Sequence, residues 1–337
     1  MWRALCTGSG ARRIRALTGT IPSTLQEFRN MKTTPHTLQD VAASVLAVPP
    51  LARNADLSLN ADANRALIRH MEAGGISTLV YGGNANFYHL GMHEYAAVLD
   101  LLVQAAADDT WVVPSAGPDF GKLVDQAAVL RDYDFPITMV MPQRGACHPA
   151  GVARGVSLFA EKLGKPVLLY IKDEGYLPAQ TVRALVDDGT VSLIKYAVVR
   201  EQPAQDEQLR ELAAQVDPKR IISGIGERPA IDHLRAFGLG SFTTGTGCIA
   251  PAASMSLLRA IQAGDWEGAE TLRKGFLGVE DLRDAHGPIP VLHDAVSFCG
   301  IADMGPMLPM LANTDAALKA PLTAAARALL KAESVAA

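Results

Sequence analysis

The stretch PVLLYIKDEGYLPAQTVRALVDDGTVSLIKYA, residues 166–197, decides how this chain is read. It opens on a short apolar run, PVLLYIK (166–172), and passes through the amphipathic segment AQTVRALVDDG (179–189). It closes on a second short run, VSLIKYA (191–197). Both runs are rich in β-branched and aromatic residues and are bounded by turn residues, which is the signature of strands. A strand, a helix and a strand in that order make a parallel pair joined by a crossover helix.

The unit recurs from about residue 40 onward. Further apolar runs are ASVLAVPPLA (43–52), GISTLVYGG (75–83), TWVVPSAG (110–117), FPITMVMPQ (135–143), RIISGIGE (220–227) and SFTTGTG (241–247). Helical segments such as ADANRALIRHMEAG, HEYAAVLDLLVQAAA and PAGVARGVSLFAEKLG lie between them. Strands alternating with helices predict a parallel sheet with helices outside it. Eight such units fit a closed (β/α)8 TIM barrel. An open doubly wound sheet is the alternative, but no strand is followed by GxGxxG or a Walker A loop. After Pro251 the strand runs stop and helical patterns follow, in AASMSLLRAIQAG, DWEGAETLRKGFLGVEDLRDA and AAARALLKAESVA. The expected organisation is therefore a barrel over 31–250 and a helical C-terminal region over 251–337.

The first thirty residues differ in composition. They carry five arginines and a single acid, Glu27, without a continuous apolar core. They read as a transit-like segment or as a start placed too early, the true beginning being Met31. Over all 337 residues the net charge is −4 and 49% of residues are hydrophobic. There is no basic stripe for nucleic acid and no apolar run long enough for a bilayer. Four cysteines (Cys6, Cys147, Cys248, Cys299) stand far apart with no CxxC pair, which predicts reduced thiols and a cytoplasmic protein.

Lys195 is the anomaly. It stands near the end of a run otherwise built to avoid water. Side chains alternate along a strand, so Val191, Leu193 and Lys195 are expected on one face. Catalytic groups of a barrel sit at the C-terminal ends of its strands. Burial there lowers an amine's pKa, and a neutral amine condenses with a ketone to an imine that serves as an electron sink. The plain alternative is a lysine that reaches out to water or pairs with an acid. Tyr170 ends the preceding run and is expected beside it as a proton shuttle; otherwise it is a packed aromatic.

The turn YGGNANFYHL follows the second run. Gly83, its backbone N–H groups and the Asn84 amide form a candidate carboxylate pocket. Gly224, in SGIGE, and Thr243, in SFTTGTG, are candidate substrate contacts at two later strand ends. Glu227 and Arg228 are expected either to meet substrate or to pair with each other. His89 and His93, four apart, have a spacing that holds metal on a helix face, but no third ligand is evident. His286 and His293, in DAHGPIPVLHDAV, are expected to cover the barrel mouth or to pack. The following segment, rich in Pro and Met, reads as helix packing or a subunit contact.

Taken together, GGNANF, LLYIKD and LIKYA resemble the turn after strand two, the tyrosine of strand five and the lysine of strand six in the dihydrodipicolinate synthase / N-acetylneuraminate lyase family. The resemblance spans about residues 40–260. It implies a Schiff-base role for Lys195, a proton-shuttle role for Tyr170 and a carboxylate site at Gly83 and Asn84. It implies a lyase acting on a 2-keto acid, an aldolase or a dehydratase, that needs no cofactor and assembles as a homotetramer or homodimer. Three departures argue against true dihydrodipicolinate synthesis. Gly83 and Asn84 replace the family's paired threonines, Gln143 and Arg144 replace its strand-four tyrosines, and Gly175 stands where an arginine is expected. GGNANFYHL and YIKDEGYLPAQTVRAL are closer to the sugar-acid dehydratase branch (5-dehydro-4-deoxyglucarate dehydratase), although Asn86 replaces an acid of that branch. The altered turn residues also leave open a non-catalytic barrel that binds a keto acid.

Overall fold

A computed structural model describes residues 31–336. The extension expected at residues 1–30 lies outside the described residues. Eight parallel strands close into one barrel in sequence order. They are β1 (Leu46–Ala47), β2 (Thr78–Tyr81), β3 (Trp111–Ala116), β4 (Thr138–Val140), β5 (Val167–Ile171), β6 (Val191–Tyr196), β7 (Ile221–Ser223) and β8 (Ser241–Thr244). Each lies within one of the eight runs read from the sequence. Helix α1 (Leu38–Ala43) precedes the barrel. Helices α2 (Ala61–Ala73), α3 (Met92–Ala105), α4 (Phe120–Leu130), α5 (Pro149–Leu163), α6 (Ala179–Asp187), α7 (Glu207–Gln215) and α8 (Ala230–Phe237) connect the strands. Four more follow: α9 (Pro251–Ala263), α10 (Trp266–His286), α11 (Pro288–Phe298) and α12 (Lys319–Ala336). No helix among the described residues is long and apolar enough to cross a membrane.

The strands divide their side chains between two cores. Leu46, Val80, Val113, Met139, Leu168, Leu193 and Ile222 point inward and fill the barrel as one cluster. The intervening residues, such as Leu79, Val112, Leu169 and Ile194, face the helices in a second, larger cluster. An inner plug of this kind leaves only the C-terminal rim of the strands for chemistry.

The expected face shared by Val191, Leu193 and Lys195 is broken at its first member. Val167 pairs with Val191, yet Leu168 pairs with Leu193, so the register shifts by one residue. Ser192 is the extra residue of a bulge. Val191 therefore joins the outer core, while Leu193 lies in the inner one. After the bulge the ladder is regular as far as Tyr170 opposite Lys195 and Ile171 opposite Tyr196.

The C-terminal helices fasten onto the barrel at defined points. The Glu333 carboxylate on α12 accepts hydrogen bonds from the Ala252 and Ala253 N–H groups at 2.8 and 2.9 Å. It thereby satisfies two of the free donors at the start of α9. At the other side of the mouth, Asn86 takes a left-handed conformation with φ 60°. Its side chain accepts from the Leu308 N–H at 3.2 Å and donates to the Asn84 carbonyl at 3.1 Å.

Candidate active site

A cavity of about 240 Å³ opens at the C-terminal rim of the barrel, and Lys195, Tyr170, Gly83, Asn84, Gly224 and Thr243 all border it. The ladder explains the central pair. Tyr170 and Lys195 are direct partners on β5 and β6, and both side chains turn toward the lumen. Lys195 is only 6% exposed and Tyr170 8%. The Lys195 ammonium nitrogen sits 4.4 Å from the centroid of the Tyr170 ring. Among the described residues Lys195 makes no ion pair.

Burial without a counter-ion disfavours the ammonium. Desolvation first, then the like charges of Lys172 and Arg283, bring the Lys195 pKa down to about 7. A substantial share of the neutral amine is therefore present near neutrality. Tyr170 moves the other way: its burial raises the phenol well above its ordinary value, so it holds its proton until one is demanded. A second phenol, Tyr88, also borders the cavity and is pushed up to about 12 by burial. It lies in GGNANFYHL, where its position in the motif was visible but its role was not.

The turn after β2 has the donors a carboxylate needs. Its own hydrogen bonds run from Ala85 and Phe87 N–H to the Gly82 carbonyl and from Asn86 N–H to the Gly83 carbonyl. The Gly83 and Asn84 N–H groups donate to nothing among the described residues. The Asn84 side-chain amide is partly committed, since it donates to the Val48 carbonyl at 2.8 Å. One hydrogen of that NH2 group is left for a ligand. Gly224 has a packing reason to lack a side chain. A Cβ there would come within 2.9 Å of Lys195 Cγ and 2.8 Å of the Tyr196 carbonyl oxygen. Its bareness keeps the lysine stem against the β7 rim.

Behind Lys195 the next residue anchors the strand end. The Tyr196 hydroxyl donates to Asp206 at 2.8 Å. Asp206 in turn caps α7 through the Leu209 N–H and pairs with Arg200 at 3.1 Å. The loop from β6 to α7 is thus tied down beside the cavity.

Sequence reasoning missed the contribution of α10. Glu280 and Arg283 reach the cavity from that helix, and both are buried, Arg283 at 8% exposure. One glycine gives each of them room. Gly226 has φ 114°, and a Cβ there would overlap the Glu280 carboxylate. A Cβ at Gly245 would press on the Arg283 guanidinium at 3.1 Å. The signal was present in α10: two charged residues fall among its inward positions, with Phe276 and Val279.

Glu227 and Arg228 do not pair with each other. Glu227 is fully buried and accepts from the hydroxyls of Thr244, Thr246 and Ser254. Arg228 also borders the cavity and pairs with Asp281 at 2.5 Å and Asp284 at 3.2 Å. One Glu280 oxygen accepts from the Glu227 N–H at 3.0 Å, while its other oxygen has no partner among the described residues. Burial and the nearby Glu227 raise its pKa to about 8.

His89 lies in the turn before α3 and His93 in its first turn, both exposed, so they do not share a helix face. No group of three His, Cys, Asp or Glu suited to a metal occurs among the described residues. Pro288 and Ile289 of α11 border the cavity mouth. His293 packs inside, its Nε2 2.9 Å from the Gly305 carbonyl, and His286 lies in a separate surface depression with Asn313 and Asp315.

No protein-family model matches the chain. Among curated proteins it is similar to a probable 5-dehydro-4-deoxyglucarate dehydratase 2 of Streptomyces coelicolor, 24% identical over 264 residues, which is 77% of each chain. Its structural neighbours include dihydrodipicolinate synthases and an N-acetylneuraminate lyase. The dihydrodipicolinate synthase of Bacillus clausii superposes with a TM-score of 0.76 at 19% identity, covering 88% of this chain and 99% of that one. The N-acetylneuraminate lyase of Proteus mirabilis gives 0.72 at 18% identity, with 86% and 98% covered. These likenesses extend over the whole of the solved chains and agree with the barrel and its helical tail.

Proposed function

We propose that this protein is a Schiff-base lyase acting on a 2-keto acid, and that sugar-acid dehydration or aldol cleavage is its reaction. The observation that carries the reading is the Tyr170–Lys195 pair: a buried amine with a lowered pKa, packed on a phenol that keeps its proton. The dehydratase relative and the lyase neighbours favour the same chemistry.

In this reading the substrate carboxylate sits on the Gly83 and Asn84 N–H groups, and its ketone faces Lys195. The neutral amine adds to the carbonyl carbon. The carbonyl oxygen, protonated twice, leaves as water and a protonated imine remains. Tyr170 supplies and recovers protons at this step. The imine then accepts the electron pair released when the neighbouring carbon loses a proton, giving an enamine. Dehydration returns that pair to expel a hydroxyl from the next carbon as water. Aldol cleavage reaches the same enamine by breaking a carbon–carbon bond. Lys195 supplies the electron sink in both cases. A homodimer or homotetramer is the expected assembly, to be checked by light scattering.

Borohydride reduction in the presence of pyruvate is expected to fix a covalent adduct on Lys195. Peptide mass spectrometry that finds the adduct on another residue, or none with any 2-keto acid, removes the mechanism. Turnover of sugar acids separates the enzyme from a barrel that only binds keto acids.

A further inference from the structure

We propose that the N-terminal end of the barrel carries an anion site, built from Arg220, Lys165, Ser192 and His36, that takes a phosphate group, free or as a monoester. The site lies at the opposite end of the strands from Lys195 and does not depend on the reaction proposed there.

A cavity of about 590 Å³ opens at that end. Its wall is made by the starts of β5, β6 and β7, which are consecutive in the barrel. Lys165 stands two residues before β5, Ser192 is the second residue of β6, and Arg220 immediately precedes β7. His36 comes from the segment before α1, and that segment is pinned across the strand starts. The Lys32 N–H donates to the Thr110 carbonyl at 2.9 Å, and the Trp111 Nε1–H donates to the Thr34 carbonyl at 3.0 Å.

Three observations define the ligand. First, the two cations meet no carboxylate: among the described residues neither Arg220 nor Lys165 makes a salt bridge. The acids in the vicinity are engaged elsewhere or face solvent. Asp134 is on the wall but exposed, Asp217 accepts from the Lys219 N–H at 2.9 Å, and Asp40 pairs with Lys32 at 3.6 Å. One nitrogen of Arg220 donates to the Ser192 carbonyl at 3.1 Å. Lys165 donates to the Tyr133 and Phe135 carbonyls at 2.8 and 3.0 Å. The rest of the guanidinium fork and one ammonium hydrogen are left over. Second, Ser192 Oγ and His36 Nδ1 are buried without a hydrogen-bond partner among the described residues. Buried polar atoms are nearly always bonded, and each exception calls for a reason. Ser192 is the extra residue of the β6 bulge, and a bulge is a means by which a strand re-aims one side chain. Third, the field at His36 is positive. Burial lowers its pKa, and Arg220 lowers it further, outweighing Asp40.

Two positive charges and a hydroxyl from three neighbouring strand starts match a phosphate, which carries up to two negative charges and accepts from several directions at once. A single carboxylate offers one charge in one plane. Phe135, Pro136 and Pro166 also border the cavity, which gives the organic part of an ester an apolar wall.

The test titrates the full chain by calorimetry with inorganic phosphate, phenyl phosphate and acetate at one ionic strength. Phosphate should bind once per chain, and acetate should bind roughly tenfold or more weakly. Tighter binding of phenyl phosphate than of inorganic phosphate assigns the site to an ester, and equal binding assigns it to free phosphate. Arg220→Gln should weaken phosphate by roughly tenfold or more, the loss of a charge-assisted bond, and Ser192→Ala by a smaller factor. Arg220→Lys should restore part of the affinity. Circular dichroism checks that each variant is folded, and Lys165→Met carries the same expectation should Arg220→Gln fail to fold. Three results overturn the proposal: no binding of either phosphate, acetate binding as tightly as phosphate, or phosphate binding that survives Arg220→Gln and Lys165→Met. Binding that survives them and is lost in Lys172→Met places the anion at the C-terminal rim instead.

Discussion

Two regions bring ionisable side chains to one cavity by different means. On the β5–β6 ladder, Tyr170 and Lys195 meet because backbone hydrogen bonds fix the register of two adjacent strands. On α10, Glu280 and Arg283 reach the same space from a helix that begins only after the last strand has ended. In the proposed reaction the ladder supplies a nucleophile and a proton carrier. The helix supplies the field around them, since Arg283 helps to lower the pKa of Lys195. The difference teaches that the proposed reacting groups are set by local pairing, while their electrostatics are set by a distant part of the chain.

The comparison breaks most visibly at Lys195. Lys195→Met should abolish adduct formation and turnover altogether. In urea unfolding at neutral pH it should stabilise the protein by roughly 1–3 kcal/mol, because it removes a buried amine that makes no ion pair among the described residues. Next in size is Tyr170→Phe, which should leave trapping measurable and cut turnover by about 10²–10⁴-fold, the usual range for loss of a positioned acid–base group.

The pH dependence separates the two regions. Imine formation should rise with pH through a single ionisation near 7, the value to which Lys195 is lowered. Removing the like charge in Arg283→Gln should move that limb to higher pH. Stability gives the matching sign. The folded pKa of Lys195 lies below the ordinary lysine value of 10.5, so between these limits the unfolded chain binds a proton that the native chain does not. The penalty is complete below about pH 7 and is relieved as pH rises. The stability gap between Lys195→Met and the wild type should therefore close between pH 7 and 10.5. A gap independent of pH would mean that the amine is solvated.

The smallest effect is expected behind the site. Glu227→Ala deprives the Thr244, Thr246 and Ser254 hydroxyls of their shared acceptor. It should cost roughly 1–3 kcal/mol in thermal unfolding. It should also lower the Glu280 pKa, because the neighbouring carboxylate that helps to raise it is gone.

The barrel was legible because each strand announces itself within a few residues, and the alternation with helices repeats eight times. Lys195 and Tyr170 were legible for the same reason: an ammonium and a phenol at consecutive strand ends become neighbours in any parallel sheet. The bulge at Ser192 was not, since a one-residue slip leaves the apolar character of VSLIKYA unchanged. Arg283 was not, because its meaning depends on α10 folding back over β7 and β8, and helix periodicity shows which face is buried without showing what it is buried against. Glu227 was seen as a charged residue at a strand end, but the three hydroxyls that hold it come from the β8 end and α9.

Asn86 joins the turn after β2 to the chain at Leu308 through one side chain. The end of the cavity proposed to bind a carboxylate and the segment between α11 and α12 therefore share a latch. A nick or insertion near residue 308, far from the lysine in sequence, would be transmitted to the turn after β2 before it disturbed the barrel.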